Sequence, residues 1–224
     1  MEKEGKYGRR QRDARGFSLI EILIVICVML TILSMSVLLL GTGLQDSHVR
    51  QAFDTTLSQI RIARERSIEE RKQYILCFGL TTPTGAATPL GAPTAQSIQL
   101  FRWDAGTALA AAVQVSNLQL PTDVQFQTIA GIPTGPGAVP DGFGTGVVAL
   151  DFDQGVVGGN KQQIMFLPDG SARDTNLNLN SGILYLAKNN NLMSSHAVTL
   201  FGASGRSRGW ALIKTGAVYS WNEQ

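Results

Sequence analysis

Glu21 is the residue whose setting most demands a chemical reason. From 22 to 40 the chain carries no charge, and only Thr31, Ser34 and Ser36 interrupt the apolar run. An ionised carboxylate at the head of such a segment is costly, on the order of 2.5–3.5 kcal/mol near a bilayer centre. A cation is its natural partner. Cleavage of the peptide bond between Gly16 and Phe17 would create one, an ammonium on Phe17 about one helical turn from Glu21. Staggered packing of several such helices brings each carboxylate to the amine of a neighbour and replaces lipid exposure by an ion pair.

A second constellation lies late in the chain. Gly205, Arg206, Ser207 and Arg208 read as a Gly-bounded turn, with Lys214 nearby, able to grip phosphates without reading bases. Trp210, Tyr219 and Trp221 offer stacking surfaces beside it. The plainer alternatives are a solvated turn for the arginines and a core role for the aromatics. Other candidates are weaker. His48 and His196 have no carboxylate at motif spacing to orient them. Gly202, Ala203, Ser204 and Gly205 miss the nucleophile-elbow pattern at its last position. Asp151 to Gly155 lacks the third oxygen position and the closing Glu of a calcium loop. Cys27 lies in the apolar run and Cys77 far beyond it, so no disulfide is expected and both read as small buried hydrophobes. No catalytic residue, cofactor or metal site is expected.

These residues need elements to position them. The run 22–40 is about the length a helix needs to span a bilayer. Before Gly16, Lys3, Lys6, Arg9, Arg10, Arg12 and Arg15 oppose only Glu2, Glu4 and Asp13, leaving about +3. Positive charge on that side predicts a cytoplasmic leader and an extracytoplasmic remainder. An ordinary secretory signal has a shorter apolar region and a small-residue cleavage site, which Leu38, Leu39, Leu40 and Gly41 match poorly. A plain single-span anchor is the other alternative, and it leaves Glu21 unexplained.

Beyond Gly41 and Gly43, which weaken the helix locally, Val49, Phe53, Leu57, Ile60 and Ala63 recur at three- and four-residue steps. An amphipathic helix is therefore expected to about Arg71, with Arg61 and Glu65, and Arg66 and Glu70, spaced to meet on its exposed face. Short runs rich in strand formers follow at 74–78, 98–103, 113–120, 124–129, 147–152, 163–167, 182–187, 197–201, 210–214 and 217–221. The last two, separated by Thr215 and Gly216, predict a hairpin. Segments 81–96 and 131–146 are crowded with Gly, Pro, Thr and Ala and are expected as exposed loops, read as flexible insertions rather than functional ones.

The strands lack alternating helices, so the expected class is α+β: a long N-terminal helix, membrane half plus amphipathic half, packed on an antiparallel sheet. The divisions are 1–16 leader, 17–40 membrane and assembly helix, 41–71 amphipathic half, and 72–224 β-rich head. The chain of 224 residues is 44% hydrophobic and 16% charged with net charge +2. Global disorder is excluded. With the leader holding the excess charge, the head is near neutral, so nucleic-acid binding would have to rest on a local cluster.

Arg15, Gly16, Phe17, Ser18, Leu19, Ile20 and Glu21 resemble the class III signal of type IV prepilins. That resemblance implies that a prepilin peptidase cuts after Gly16, that Phe17 is N-methylated, and that Glu21 pairs with a neighbouring subunit during assembly. In the head, Ile164 to Gly170 followed by Ser171, Ala172 and Arg173 is similar to the strand and turn of FimT-type minor pilins and of the H-type pseudopilins of type II secretion. The Gly205–Arg208 motif is similar to the FimT group. The resemblance implies a structural filament component that initiates or caps a pilus or secretion pseudopilus, not an enzyme. Its partners would be other pilins or pseudopilins through the N-terminal helix, the prepilin peptidase and the inner membrane. The chain would span that membrane once with its head in the periplasm, then pass to a filament tip or an extracellular pilus. The FimT alternative adds DNA, with Arg206, Arg208 and Lys214 as contacts. A membrane-anchored enzyme or solute binder is the alternative of another class.

Overall fold

The computed structural model describes residues 18–80, 82–84, 96–135, 137–152 and 162–224, with only the backbone described at 35–46. The leader 1–16, Phe17 and most of the loop 81–96 lie outside the described residues. The chain divides into two compact units, Met1–Leu44 and Gln45–Gln224, and the division falls within helix α1 (Leu19–Glu69).

In the first unit, the Ser18 carbonyl accepts the N–H groups of Glu21 and Ile22 at 3.0 and 3.2 Å and opens α1. The helix is apolar all round. Every large apolar side chain described from Leu19 to Leu33 is exposed, from 82% at Leu19 to 47% at Val25. Among the described residues no helix is long and apolar enough to cross a membrane. The span expected over 17–40 runs into Phe17 and into 35–40, whose side chains are not described.

The second unit begins with the amphipathic part of α1. Val49, Ala52, Phe53, Leu57, Ile60 and Ala63 are buried at the expected helical steps. Thr56 joins this buried stripe because its hydroxyl donates to the Ala52 carbonyl at 2.7 Å, so no polar group is orphaned. The helix ends where Arg71 takes a left-handed φ of 51°, the conformation that commonly terminates helices. Neither Arg61–Glu65 nor Arg66–Glu70 is among the ion pairs of the described residues.

The strands are β1 (Gln73–Phe78), β2 (Ser97–Trp103), β3 (Val113–Gln119), β4 (Val124–Gln125), β5 (Leu150–Asp151), β6 (Gln163–Phe166), β7 (Ala172–Arg173), β8 (Gly182–Lys188), β9 (His196–Phe201), β10 (Arg206–Thr215) and β11 (Val218–Glu223). They form two antiparallel sheets, ordered β3-β2-β1-β6-β7 and β11-β10-β9-β8-β4, with β5 also paired to β8. The class is α+β. Strand alternation sends Tyr74, Leu76, Phe78, Ile98, Leu100, Val198 and Leu200 into one core with the helix stripe. The opposite faces build two smaller cores, around Ile75, Cys77, Phe101 and Met165 on the first sheet and around Ile183, Tyr185, Ala197 and Leu212 on the second.

Three expectations change. The runs 124–129 and 147–152 pair only over Val124–Gln125 and Leu150–Asp151. The final hairpin forms, but its first strand starts at Arg206, which absorbs the expected turn at 205–208. The loop 131–146 is not a loose insertion over its described residues. Ile132, Val139 and Pro140 are buried, and Phe143 packs on the outer core of the second sheet.

Candidate functional site: the helix head and the arginine ribbon

Glu21 lies in the first turn of α1 and is exposed. A negative side chain there complements the partial positive charge of the helix N-terminus. Gly16 and Phe17 lie outside the described residues, so the structure gives no geometry for an amine near this carboxylate. What it gives is a carboxylate followed by about three turns of largely apolar, exposed side chains, Ile22 to Leu33.

The late arginines are held by two turns. The Phe201 carbonyl accepts the Gly205 N–H at 2.7 Å and closes the turn that starts β10. Gly205 has φ +61°, and a Cβ there would collide with the Gly170 carbonyl oxygen, so glycine is required. The second turn is the Pro168, Asp169, Gly170 motif. Asp169 Oδ1 accepts from the Ser171 N–H at 2.8 Å and from its hydroxyl at 2.6 Å. These bonds hold the Asp169 carboxyl below the usual aspartate range, the hydroxyl contributing most. Arg64 of α1 joins both turns, its Nε donating to Gly170 O at 3.2 Å and to Ser204 O at 3.0 Å. The two motifs that stood apart in sequence are thus a single structural joint on the helix.

Arg206, Arg208 and Lys214 do not form a compact cluster. They are the first, third and ninth residues of a ten-residue strand, so Lys214 lies roughly 27 Å from Arg206 at about 3.4 Å per residue. Arg208 is already engaged. Its guanidinium donates to Asp141 Oδ1 at 3.0 Å, approaches Glu223 Oε1 at 3.6 Å, and lies 5.2 Å from the centre of the Phe201 ring. The Asp141 side chain is only 10% exposed. Its other oxygen accepts the Thr199 hydroxyl at 2.6 Å, and that hydroxyl accepts the Trp210 indole N–H at 3.1 Å. Asp141 adopts φ 50° to make these contacts. The guanidinium of Arg208 is therefore a latch between a loop and a sheet.

Arg206 remains exposed, and Arg61 and Arg64 of the helix line a hollow of about 280 Å³ with it, beside Glu65, Gly205 and Ser207. Among the described residues none of the ion pairs involves these three arginines. Sequence reasoning missed Arg61 and Arg64 here because they lie about 140 residues away and fit an ordinary solvated helix face.

The histidines also find partners that spacing hid. His48 Nδ1 lies 3.0 Å from Asp123 Oδ1, 75 residues on. His196 is packed against Phe53 at 4.9 Å between ring centres, with Nδ1 2.9 Å from the Ser194 carbonyl, so Nδ1 carries the proton. Burial lowers its pKa, which keeps the ring neutral. Both cysteines are free, and burial pushes the Cys77 thiol up to about 12. Among the described residues no group of three or more His, Cys, Asp or Glu could hold a metal ion.

No protein-family model and no curated protein matches the chain. The crystal structure of the type IV minor pilin FimU from Pseudomonas aeruginosa is similar over 77% of this chain and 92% of that chain, at 8% identity and a TM-score of 0.41. A likeness of that size leaves the function to be argued from the residues themselves.

Proposed function

We propose that this chain is a filament subunit of the type IV pilin kind, a minor pilin or pseudopilin, made with a leader that is cut after Gly16 and N-methylated on Phe17. The observation that carries this reading is Glu21 in the first turn of α1, whose large apolar side chains from Leu19 to Leu33 are all exposed. So large an apolar surface requires cover by lipid or by partner helices. One ionised group on it requires a counter-charge. The Phe17 amine of a neighbouring subunit supplies that charge only if the leader is removed. Before assembly the segment 17–40 anchors the chain in the inner membrane with its head in the periplasm.

The reading is tested by intact-mass measurement of the native protein. A polypeptide beginning at a methylated Phe17 is expected, and one that retains residues 1–16 overturns the proposal.

A second reading adds DNA binding to the same subunit. It is favoured by the hollow that Arg61, Arg64 and Arg206 line together with a single carboxylate, Glu65, and among the described residues none of the three arginines is ion-paired. Such a cluster would hold phosphates through charge, so its affinity for duplex DNA should fall steeply with salt. Arg208 lines an adjoining hollow of about 410 Å³ with Arg61 and Arg206 but its charge is answered by Asp141, and Lys214 stands at the far end of the strand. A DNA affinity that does not change across a salt series removes this reading.

A further inference from the structure

The hollow between α1 and the start of β10 is lined by Arg61, Arg64 and Arg206, with Glu65 as its one carboxylate and Gly205 and Ser207 completing the wall. Three positive charges against one negative leave it at +2. Arg64 is held before any ligand arrives. The Gly170 and Ser204 carbonyls fix its Nε, and among the described residues its two terminal nitrogens have no hydrogen-bond partner. Glycine at 170 and 205 makes room for it, since a Cβ at either position would come within 3.0–3.4 Å of its side chain. A guanidinium anchored through Nε keeps its paired terminal nitrogens as a two-pronged donor, the geometry that grips two oxygens of one anion. The Ser207 side chain, half-buried in the same wall, adds a hydroxyl.

Three features choose among anions. The first is the arrangement of the cations. A site that tracks a nucleic-acid backbone needs a charged groove along it, and here the row is broken. Arg208 in the adjoining hollow is answered by Asp141 and Glu223, and Lys214 stands at the far end of the strand. The three unanswered guanidinium groups share one hollow instead. The second is size. At about 280 Å³ the hollow lies just under the roughly 300–1,000 Å³ of drug-sized sites, so it suits one compact group on a single linker rather than a chain passing through. The third is charge. A phosphodiester or a carboxylate carries one negative charge, whereas a phosphate monoester carries about −1.5 to −2 at pH 7 and three acceptor oxygens. Of these only the monoester balances +2 and has an oxygen for each arginine.

We infer that this hollow binds the dianionic phosphate of a phosphate monoester. Arg64 grips it from the fixed side, and Arg61 and Arg206, both exposed, supply the remaining charge. The carrier is a free phosphorylated molecule or the phosphorylated end of a nucleic-acid strand, and the chemistry recognised is the same in both. The inference uses the hollow of the DNA reading but goes beyond it, because a monoester on either carrier satisfies the site.

The test uses the full chain in a nonionic detergent, glycerol 3-phosphate as the monoester, and dimethyl phosphate and acetate as singly charged controls, followed by isothermal titration calorimetry and phosphorus NMR. Saturable binding of glycerol 3-phosphate is expected, with the two controls at least about tenfold weaker. Binding should strengthen as pH rises from 5 to 7, because the monoester gains its second charge near a pKa of about 6. Arg64→Lys, which keeps the charge and loses the fork, and Arg206→Ala should each weaken it about tenfold. Lys214→Ala, which removes a charge far from the hollow, should leave it unchanged. A duplex with 5′-phosphate ends, set against the same duplex with 5′-hydroxyl ends, assigns the carrier: tighter binding of the first puts the phosphate on nucleic acid, and no difference puts it on a small molecule. If neither duplex binds while glycerol 3-phosphate does, the DNA reading fails and this inference stands. It is overturned if glycerol 3-phosphate does not bind up to about 20 mM, if dimethyl phosphate or acetate binds as tightly, or if Lys214→Ala weakens binding as much as Arg206→Ala. Should Arg64→Lys fail to fold, Arg206→Ala, at an exposed position, decides alone.

Discussion

Single side chains in this protein divide into those whose charge is already answered and those whose charge is not. Glu21 is of the second kind. On the filament reading, Glu21→Ala leaves membrane insertion and leader removal intact but blocks incorporation into a filament, because truncating one member of a desolvated pair costs about 3–5 kcal/mol. Shear fractionation followed by immunoblotting checks this, and a normal content of the variant in filaments would count against it. Arg208 is of the first kind, although the sequence placed it with Arg206. Arg208→Ala strands the largely buried Asp141 carboxylate and should lower stability by about 1–3 kcal/mol, measured by denaturant unfolding. Arg206→Ala, at an exposed position, should change stability by less than about 0.5 kcal/mol. On the DNA reading, Arg206→Ala combined with Arg61→Ala lessens the salt dependence of duplex binding. Equal stability losses for Arg206→Ala and Arg208→Ala would contradict the latch.

At the scale of elements, the contact between α1 and β10 depends on a missing side chain. Gly209 sits in mid-strand, normally a poor place for glycine, but a Cβ there would collide with the Phe53 ring and crowd Leu57. Helix and strand therefore approach through that gap. Gly209→Ala should destabilise the fold by about 1–3 kcal/mol, the usual range for overpacking, read as a shift in the denaturation midpoint. Pairing Gly209→Ala with Phe53→Leu should recover part of the loss if the collision is the cause. The same logic explains the strand that replaced a turn at 206–208. Backbone pairing of Arg206 to Phe201 and Arg208 to Thr199 continues β9 and β10 to their ends, and this outweighs the local preference of a Gly-bounded, polar segment for a bend.

For the β-rich unit as a whole, pH sensitivity above 5 is assigned to His196. Its pKa in the folded state lies below the unfolded value of about 6.5, so the unfolded chain binds the extra proton first. Stability is full above about 6.5 and falls as pH drops below it, by at most about 1.4 kcal/mol per pH unit. Asp169 acts lower, its contribution being lost only as pH falls below about 3.9. Thermal unfolding between pH 7.5 and 5 should show the first loss, and His196→Gln should flatten it; an unchanged slope would remove the assignment. The sequence by itself determined what depends on neighbours along the chain: the apolar run with Glu21 at its head, the amphipathic stripe from Val49 to Ala63, the α+β class and most strands. Period and composition are local quantities, and these elements follow them. Only the tertiary structure decided what depends on residues far apart: Asp141 answering the charge of Arg208, Arg61 and Arg64 joining Arg206, Asp123 reaching His48, and the loop 131–146 packing beside Trp210, Tyr219 and Trp221. Those pairings span 67 to 145 residues, and no spacing rule carries information across such a distance; they form because sheet register and helix packing bring the partners to one place.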